Sequence, residues 1–355
     1  MGNLGSLLFY IILFSTSSIF YYLYNKYNKN RLLLVLSFII PMIIGGFRYK
    51  VGTDYVGYEM LYDTFKNYKL SQISLFLDLE VSFIIISIFS KYFGGKVMMF
   101  FIYNFLILFF TYKSLENIDK KCRPLALFGL LFLYFTISFN GIRQMLAVMI
   151  IYNAYKYIKN KNLKLWILNV ILAALFHKTA LLLAPLYFFC KIKSILFKIL
   201  IVCIILILVL NYSVIFKFLS NFETFDKYSK YETYSSNYAF NNYNFYLSLM
   251  VLLYILIYSK ILIKADEDNL NVIYIFIIGV LINYIGFISP DLKRFSLYFK
   301  IFEINLLSQI PFICIKPINK KLTYIITVTY PIMCFIIYYY ILQQSNIIPY
   351  RFIGI

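Results

Sequence analysis

The feature that most constrains this chain is the recurrence, from end to end, of uncharged stretches about 20 residues long. Examples are 4–24, 199–216, 272–290 and 323–343. A helix rises ~1.5 Å per residue, so each stretch can cross ~30 Å of hydrocarbon. With 62% hydrophobic and 14% charged residues, the composition fits no ordinary soluble domain. The sequence therefore predicts an all-α polytopic membrane protein, with residues 1–355 forming a single integral membrane domain.

The net charge and the spacing of the cysteines limit which binding partners this chain can be expected to have. A net charge of +19 would suggest nucleic-acid binding in a soluble protein. Here, however, lysines and arginines gather in short loops between apolar stretches, where they set orientation and meet anionic headgroups. We therefore expect membrane lipids, and no nucleic acid, as partners. The five cysteines have no spacing typical of a metal site or a disulfide framework. The nearest D-x-D pair, 266–268, falls in a predicted cytoplasmic loop, so no metal is required, and no cofactor is predicted.

Loop charges also predict the orientation of the chain. Short basic loops separate many of the apolar stretches: 26–31, 113–123, 156–164, 191–198, 260–264 and 316–321. Cytoplasmic loops carry an excess of Lys and Arg, so we place these loops on the cytoplasmic side. The resulting path has about 12 transmembrane helices and puts both chain ends outside. The spans are expected near 4–24, 32–47, 97–113, 124–139, 144–158, 164–176, 178–190, 199–216, 244–263, 270–288, 295–313 and 322–342.

Two segments are predicted to lie outside the spans. The stretch 79–93 is apolar but short and ends at Gly94-Gly95, so we interpret it as a re-entrant or interfacial helix within an outer loop over 48–96. A span there would instead move the basic runs of later loops to the outside. The segment 217–243 is hydrophilic and rich in Tyr, Ser and Asn, which favours an outer loop or lid.

On this topology the remaining polar clusters fall on the outer face: 48–58, 140–144, 177–178 and 291–294. Ionisable residues at a membrane edge are costly, and they commonly mark a functional site. Because the clusters come from distant parts of the chain, the economical hypothesis is one outward-facing cavity formed by outer-face loops.

The first cluster combines the cations Arg48 and Lys50 with the carboxylate of Asp54, among glycines that permit close backbone approach. An anionic headgroup or a sugar is a suitable ligand. The alternative is a loop in which Arg48 snorkels to lipid phosphate and Asp54 caps a turn or a helix.

The second cluster, from Asn140 to Gln144, is a polar island between two apolar helices joined almost without a loop. A helix that begins near Gly141 would direct its N–H groups at an anion, and Arg143 offers a planar fork for phosphate. The alternative is an Arg143 paired structurally with a neighbouring span.

The remaining clusters each pair a cation with a titratable group. His177, the one histidine, stands beside Lys178 and could donate to a phosphate or a sugar hydroxyl; the alternative is a structural histidine. In the late cluster, Arg294 is suited to phosphate and Asp291 to a hydroxyl. The alternative there is a surface salt bridge.

In this order the motifs resemble the EpsG family of polysaccharide polymerases, relatives of the Wzy O-antigen and capsule polymerases. The likeness covers nearly the whole chain. It is carried by R-x-x-x-G-x-D-Y-x-x-Y at 48–58, F-N-G-I-R-Q at 139–144, F-H-K-[ST]-A at 176–180 and a late D-x-x-R at 291–294.

The resemblance implies a membrane glycosyltransferase with a GT-C-like helical fold. Such an enzyme joins oligosaccharide repeat units carried on undecaprenyl diphosphate, at the outer face of a bacterial cytoplasmic membrane, in the synthesis of capsule, exopolysaccharide or O-antigen. The lipid-linked oligosaccharides are thus the expected partners, and a chain-length regulator is a further candidate.

In that reaction a sugar hydroxyl attacks and the lipid diphosphate departs, so the site needs a base and cations. The candidate bases are Asp54, His177 and Asp291. The candidate substrate-binding residues are Arg48, Lys50, Tyr58, Asn140, Arg143, Gln144, Lys178 and Arg294.

Two other functions remain open at this point. A lipid-linked sugar ligase, which transfers to another acceptor, would use the same diphosphate site. A flippase or exporter should carry charged residues deep in several spans. The predicted spans are nearly free of charge, Glu303 being the clearest exception, which disfavours transport.

Overall fold

The structure is a computed structural model that describes residues 2–27, 30–68, 81–211, 242–287 and 293–353. In these ranges the regular structure is helical, apart from an isolated antiparallel bridge between Arg48 and Phe352. The predicted all-α class is confirmed. Contacts divide the chain into two compact units, Met1–Ala184 with Cys314–Ile355 and Pro185–Ile313.

The first unit contains the first three polar clusters. Its helices are α1 Asn3–Lys26, α2 Arg31–Gly46, α3 Tyr55–Phe65, α4 Val81–Lys91, α5 Gly95–Leu115, α6 Arg123–Leu133, α7 Ile142–Lys159 and α8 Leu163–Phe176. Short 3-10 helices, Phe135–Phe139 and Lys178–Leu183, follow α6 and α8.

The second unit is also built from helices. They are α9 Leu186–Lys191, α10 Ile195–Leu210, α11 Tyr243–Ile257, α12 Ser259–Ala265, α13 Asn269–Tyr284, α14 Leu297–Lys300 and α15 Glu303–Ile313. The chain then returns to the first unit with α16 Pro317–Phe335 and a π-helical stretch Ile336–Ile341.

Among the described residues, four helices are long and apolar enough to cross a membrane. They are Asn3–Lys26, Gly95–Leu115, Asn269–Phe287 and Pro317–Ile341. The pair α11 and α12, bent by 64°, is a fifth candidate. Each of the other predicted spans also overlaps helical structure; α7 covers 144–158 completely, and the rest overlap helices of 16 residues or fewer. Apolar membrane-type helices are thus present, while the number of about 12 spans and the GT-C-like arrangement stay predictions.

The segments predicted to lie outside the spans are only partly described. Within 79–93, the structure describes α4, whose 11 described residues are fewer than a span needs. Its placement at the outer surface stays a prediction. Most of the proposed lid at 217–243 lies outside the described residues.

Helix α7 is the central element of the first unit. Nearly every residue from Ile142 to Tyr155 is buried, so the helix has no outward face in its first three turns. It packs against α5 and α8. A short connection joins α7 to α8, whose start is capped by Asn162 accepting from Leu165 N–H at 3.0 Å. The two helices therefore form an antiparallel hairpin, and the start of α7 and the end of α8 lie at one end of the bundle.

A segment that the sequence did not single out completes this end of the unit. Residues 345–353, called the strap below, run antiparallel to the loop 47–52. Three backbone hydrogen bonds of 2.9 Å join them, from Tyr49 to Arg351, from Ile353 to Phe47 and from Gly52 to Asn346.

Tyr350 fastens the strap to α1 and α2. Its hydroxyl donates to the Ile44 carbonyl at 2.8 Å, and its backbone N–H donates to Ser6 Oγ at 2.9 Å. The side chain is fully buried. The strap therefore connects the beginning of the described chain with the first polar cluster.

Candidate functional site

Arg48, two residues beyond the end of α2, has a fully buried side chain with 0% exposure. Its guanidinium carbon lies 4.4 Å from the ring centroid of Phe139, 4.7 Å from that of Phe100 and 5.9 Å from that of Tyr55. Aromatic faces stabilise a cation at such distances. An arginine that snorkels to lipid phosphate would be exposed, so the structure does not support that alternative.

The guanidinium of Arg48 has no counter-ion in the part of the chain that the structure describes. There, Nε, Nη1 and Nη2 all lack a hydrogen-bond partner, and no carboxylate forms an ion pair with them. Burial lowers the pKa of Arg48 to about 10, although the nearby tyrosines, Tyr58 foremost, act to raise it. The group is still a cation at neutral pH. A buried charge without an ionic partner is costly, so an anion that reached these nitrogens would be strongly favoured.

Gly52 allows the loop after Arg48 to approach the second motif. Its φ of +100° is a conformation that residues with a side chain rarely adopt. A Cβ built on Gly52 would lie 2.7 Å from the Phe139 carbonyl oxygen and 2.8 Å from Asn140 Oδ1. The first and second motifs are thus in direct contact, although about 90 residues separate them in sequence.

We expect Gly52→Ala to destabilise the protein by about 1–3 kcal/mol, because the new methyl group meets backbone at a strained φ. The measurement is the midpoint of thermal unfolding in detergent. Gly57→Ala is the matched control, since Gly57 lies in α3 with open space around its Cβ position. That change should be neutral or slightly stabilising, as alanine favours the helix. Equal effects of both changes would contradict the close contact at Gly52.

Tyr58 ties the outer helix α3 to the turn before α7. Its hydroxyl donates to the Asn140 carbonyl at 3.1 Å and accepts the Ile142 N–H at 3.2 Å. Burial raises the pKa of Tyr58, so its hydroxyl stays protonated and able to donate. This hydroxyl is engaged with protein backbone, and the role of Tyr58 in substrate binding stays a prediction.

Arg143 lies at the second position of α7, beside α3 and α4. Its guanidinium carbon is 5.4 Å from the Phe83 ring centroid and 5.9 Å from that of Tyr58. The side chain is half-buried. The N-cap residue of α7 is Gly141, which has no side chain to cap the helix, and the Tyr58 hydroxyl accepts the first N–H of α7. The predicted helix start near Gly141 is confirmed, and it brings Arg143 to the same turn whose Phe139 ring contacts Arg48.

A polar contact joins Asp54 to this turn through Thr53. Thr53 Oγ1 lies 3.0 Å from Asp54 Oδ1 and 3.1 Å from Asn140 Oδ1. One hydroxyl proton serves only one of these acceptors at a time. The Asn140 amide nitrogen in turn donates to the Ser345 carbonyl at 3.3 Å. Asp54 occupies the N-cap position of α3 without a side-chain capping bond, so the alternative of a helix cap is not supported.

His177 ends α8 and lies at the same end of the bundle. It leaves the helical conformation, with φ −156° and ψ 112°, and Lys178 then begins the 3-10 helix. His177 is half-buried and Lys178 is exposed. Helix α4 connects this region with Arg143, because Ser82 Oγ donates to the Leu175 carbonyl at 2.6 Å while the adjacent Phe83 faces Arg143.

The family assignment agrees with these motifs. The family model of the EpsG family matches residues 31–352, nearly the whole chain. The chain belongs to the EpsG family. The resemblance expected from the motifs is therefore confirmed. No curated protein and no solved structure matches this EpsG-family chain.

The other predicted site residues of this EpsG-family protein are placed as follows. Lys50 is exposed, and its Nζ lies 5.4 Å from the ring centroid of the adjacent Tyr49. Gln144 is buried in the first turn of α7. Arg294 is exposed and begins a 3-10 helix in the second unit. Asp291 lies outside the described residues. The roles of all four stay predictions.

Sequence reasoning missed several residues around the EpsG motifs. The sequence around Thr53 did not mark it as functional, since an isolated threonine in a loop is common. Glu59 and Lys96 form a salt bridge that ties α3 to the start of α5. The strap, with Ser345 and Tyr350, was assigned no role. Within the described ranges, no cluster of three or more His, Cys, Asp or Glu side chains is suited to hold a metal ion.

Proposed function

We propose that this EpsG-family protein is a polysaccharide polymerase. It joins oligosaccharide repeat units carried on undecaprenyl diphosphate, at the outer face of a bacterial cytoplasmic membrane. The observation that carries the proposal is the convergence of Arg48 and Arg143 on the turn 139–142 from two separate family motifs.

The chemistry requires cations that stabilise a leaving diphosphate. A hydroxyl oxygen of the incoming unit attacks the anomeric carbon of the growing chain, and the bond from that carbon to the lipid diphosphate breaks. Negative charge grows on the departing oxygen, and guanidinium groups in a water-poor, aromatic environment stabilise it effectively. Arg48 and Arg143 are assigned this role. Their planar forks match phosphate oxygens better than a lysine would.

The attacking hydroxyl must also lose its proton. Asp54 and His177 are the proposed acceptors within the first unit, and Asp291 of the late motif is the third candidate. Lys50 and Lys178 are exposed cations that can attract the anionic substrate. Asn140, Gln144 and Arg294 are proposed as further substrate contacts.

The membrane arrangement belongs to the same proposal. With basic loops inside, the chain has about 12 spans in a GT-C-like arrangement, both ends outside and the first three motifs on the outer face. Lipid-linked sugar units in the outer leaflet would reach the site without crossing the membrane. A chain-length regulator is proposed as an accessory partner.

The test is polymerisation by the purified protein in proteoliposomes supplied with undecaprenyl-diphosphate-linked repeat units. A ladder of lengthening lipid-linked glycan supports the proposal, and vesicles with an unrelated membrane protein from the same host are the control. Transfer of one unit to an added acceptor, without lengthening, would indicate a ligase. Movement of intact units across the bilayer without a new glycosidic bond would indicate an exporter.

A further inference from the structure

The closed surroundings of Arg48 conflict with its proposed task. Its guanidinium is fully buried and unpartnered among the described residues, so a diphosphate cannot touch it in this conformation. Some covering element must move before substrate can reach it. The rings around the guanidinium are Phe100 of α5, Phe139 of the turn and Tyr55 of α3. The strap pairs with the Arg48 backbone through Phe352, and its Tyr350 acts electrostatically on the guanidinium.

The strap differs from the other covering elements in how it is held. Phe100 belongs to the long helix α5, and Phe139 belongs to the 3-10 helix that leads into the buried helix α7. Helix α3 is tied down by the Tyr58 bonds and by the salt bridge between Glu59 and Lys96. Residues 347–353 of the strap belong to no helix; backbone hydrogen bonds join the strap to the loop 47–52, and Tyr350 fastens it to α1 and α2.

A hinge-like stretch overlaps the start of the strap. Gln343, Ser345 and Asn346 all have positive φ, at 47°, 69° and 49°. Residues with a side chain rarely adopt such values, and clusters of them are typical of switch regions. These residues follow directly on the π-helical end of α16. A change of backbone angles there would shift the start of the strap, including the Asn346 carbonyl that accepts from the Gly52 N–H.

We propose that the strap closes the Arg48 site and must part from the loop 47–52 to admit the anionic diphosphate of the lipid carrier. This inference rests on the proposed function, since it takes the same substrate class. In the closed state the positive charge of Arg48 has no anion beside it. A bound diphosphate neutralises this charge. Substrate binding thus stabilises the open state and, once the anion is in place, permits reclosure over it.

The experiment locks the strap with a reversible disulfide. Tyr49→Cys and Arg351→Cys are combined, with the exposed Cys203 replaced by serine. Tyr49 and Arg351 are adjacent to the Arg48–Phe352 bridge and joined by a backbone hydrogen bond. Hydrogen-bonded antiparallel neighbours have Cα atoms about 5.5 Å apart, which suits a disulfide. Phe47→Cys with Ile353→Cys is the second pair, in case the first does not fold.

Two readouts compare the oxidised and reduced forms of the same protein. Oxidation is expected to lower polymerisation at least tenfold and to abolish the thermal stabilisation given by undecaprenyl diphosphate, and reduction should restore both. The single-cysteine variants, treated with the same oxidant, should not change. An oxidised form that polymerises and binds like the reduced form would overturn the proposal.

The binding measurement distinguishes failure of the strap proposal from failure of the polymerase proposal. If the reduced protein binds undecaprenyl diphosphate but does not polymerise, while oxidation blocks binding, the strap proposal holds and the polymerase proposal fails. If the reduced protein polymerises and oxidation has no effect, the polymerase proposal holds and the strap proposal fails. A reduced protein that is not stabilised by undecaprenyl diphosphate overturns the strap proposal.

Discussion

Arg48→Met is expected to lower polymerisation by about 100-fold or more while leaving the thermal unfolding midpoint unchanged or higher. Removal of one group that stabilises developing charge typically costs about 100–1000-fold in rate. Methionine has a similar length and fills the aromatic surroundings without a charge. Because replacing buried charges with apolar side chains often stabilises proteins by about 1–4 kcal/mol, stability should not fall. Rate and unfolding midpoint are measured on the same purified protein.

Arg31→Met is the control for loss of a positive charge. Arg31 begins α2, at the end of that helix opposite to Arg48, and it is exposed. Its replacement should change neither the polymerisation rate nor the midpoint of thermal unfolding. Since the pKa of Arg48 lies near 10, the wild-type rate should also show no titration of this group between about pH 6 and 8.5. An active Arg48→Met protein, or an inactive one that has lost several degrees of stability, would assign Arg48 a structural role.

Arg143→Ala is expected to lower chain extension by about 100–1000-fold, because it removes the second cation beside the turn 139–142. Arg143→Lys should retain a small part of the activity, since lysine keeps the charge but loses the bidentate fork. The measurement is the glycan length distribution at equal amounts of folded protein.

Arg123→Ala is the matched control for this second prediction. Arg123 also stands at the start of a helix, α6, where its side chain donates to the Ile118 carbonyl at 2.9 Å. It belongs to a loop predicted to be cytoplasmic, so extension should persist. If Arg143→Ala extends glycan normally, Arg143 is a structural residue, as in the alternative that pairs it with a neighbouring span.

The positions of many helices could be predicted from stretches of sequence that contain no charged residue. The predicted spans 32–47 and 164–176 correspond closely to α2 and α8, because charged or capping residues stand at their boundaries. The predicted span 124–139 is broken instead, since α6 ends at Leu133 and a 3-10 helix follows. Hydropathy reports how strongly each residue type prefers an apolar medium to water, so it is insensitive to such a change of backbone conformation.

The candidate site could be predicted from the sequence only for those residues that belong to recognisable motifs. Arg48, Asp54 and Arg143 are chemically conspicuous residues at span boundaries, and the structure brings their motifs to one end of the first unit. The burial of Arg48 was not predictable, because an arginine after a span has the same sequence context whether it snorkels or packs against Phe100 and Phe139.

The strap was not predictable for a different reason. Its pairing with 47–52 uses backbone N–H and C=O groups, which every sequence provides. The fastening residue Tyr350 is one of 36 tyrosines, so its identity carries little information. Thr53 is similar, since its significance comes only from the positions of Asp54 and Asn140.

The central claim is a lipid-diphosphate site built on Arg48 and Arg143, and its most direct test is the affinity of the purified protein for undecaprenyl diphosphate compared with undecaprenol. Both ligands share the polyprenyl chain, so the difference isolates the phosphates. We expect the wild type to bind the diphosphate at least tenfold more tightly, and this preference to vanish in Arg143→Ala and Arg48→Met but not in Arg123→Ala. Equal affinity of the wild type for both lipids, or a preference unchanged by the two arginine substitutions, would contradict the account.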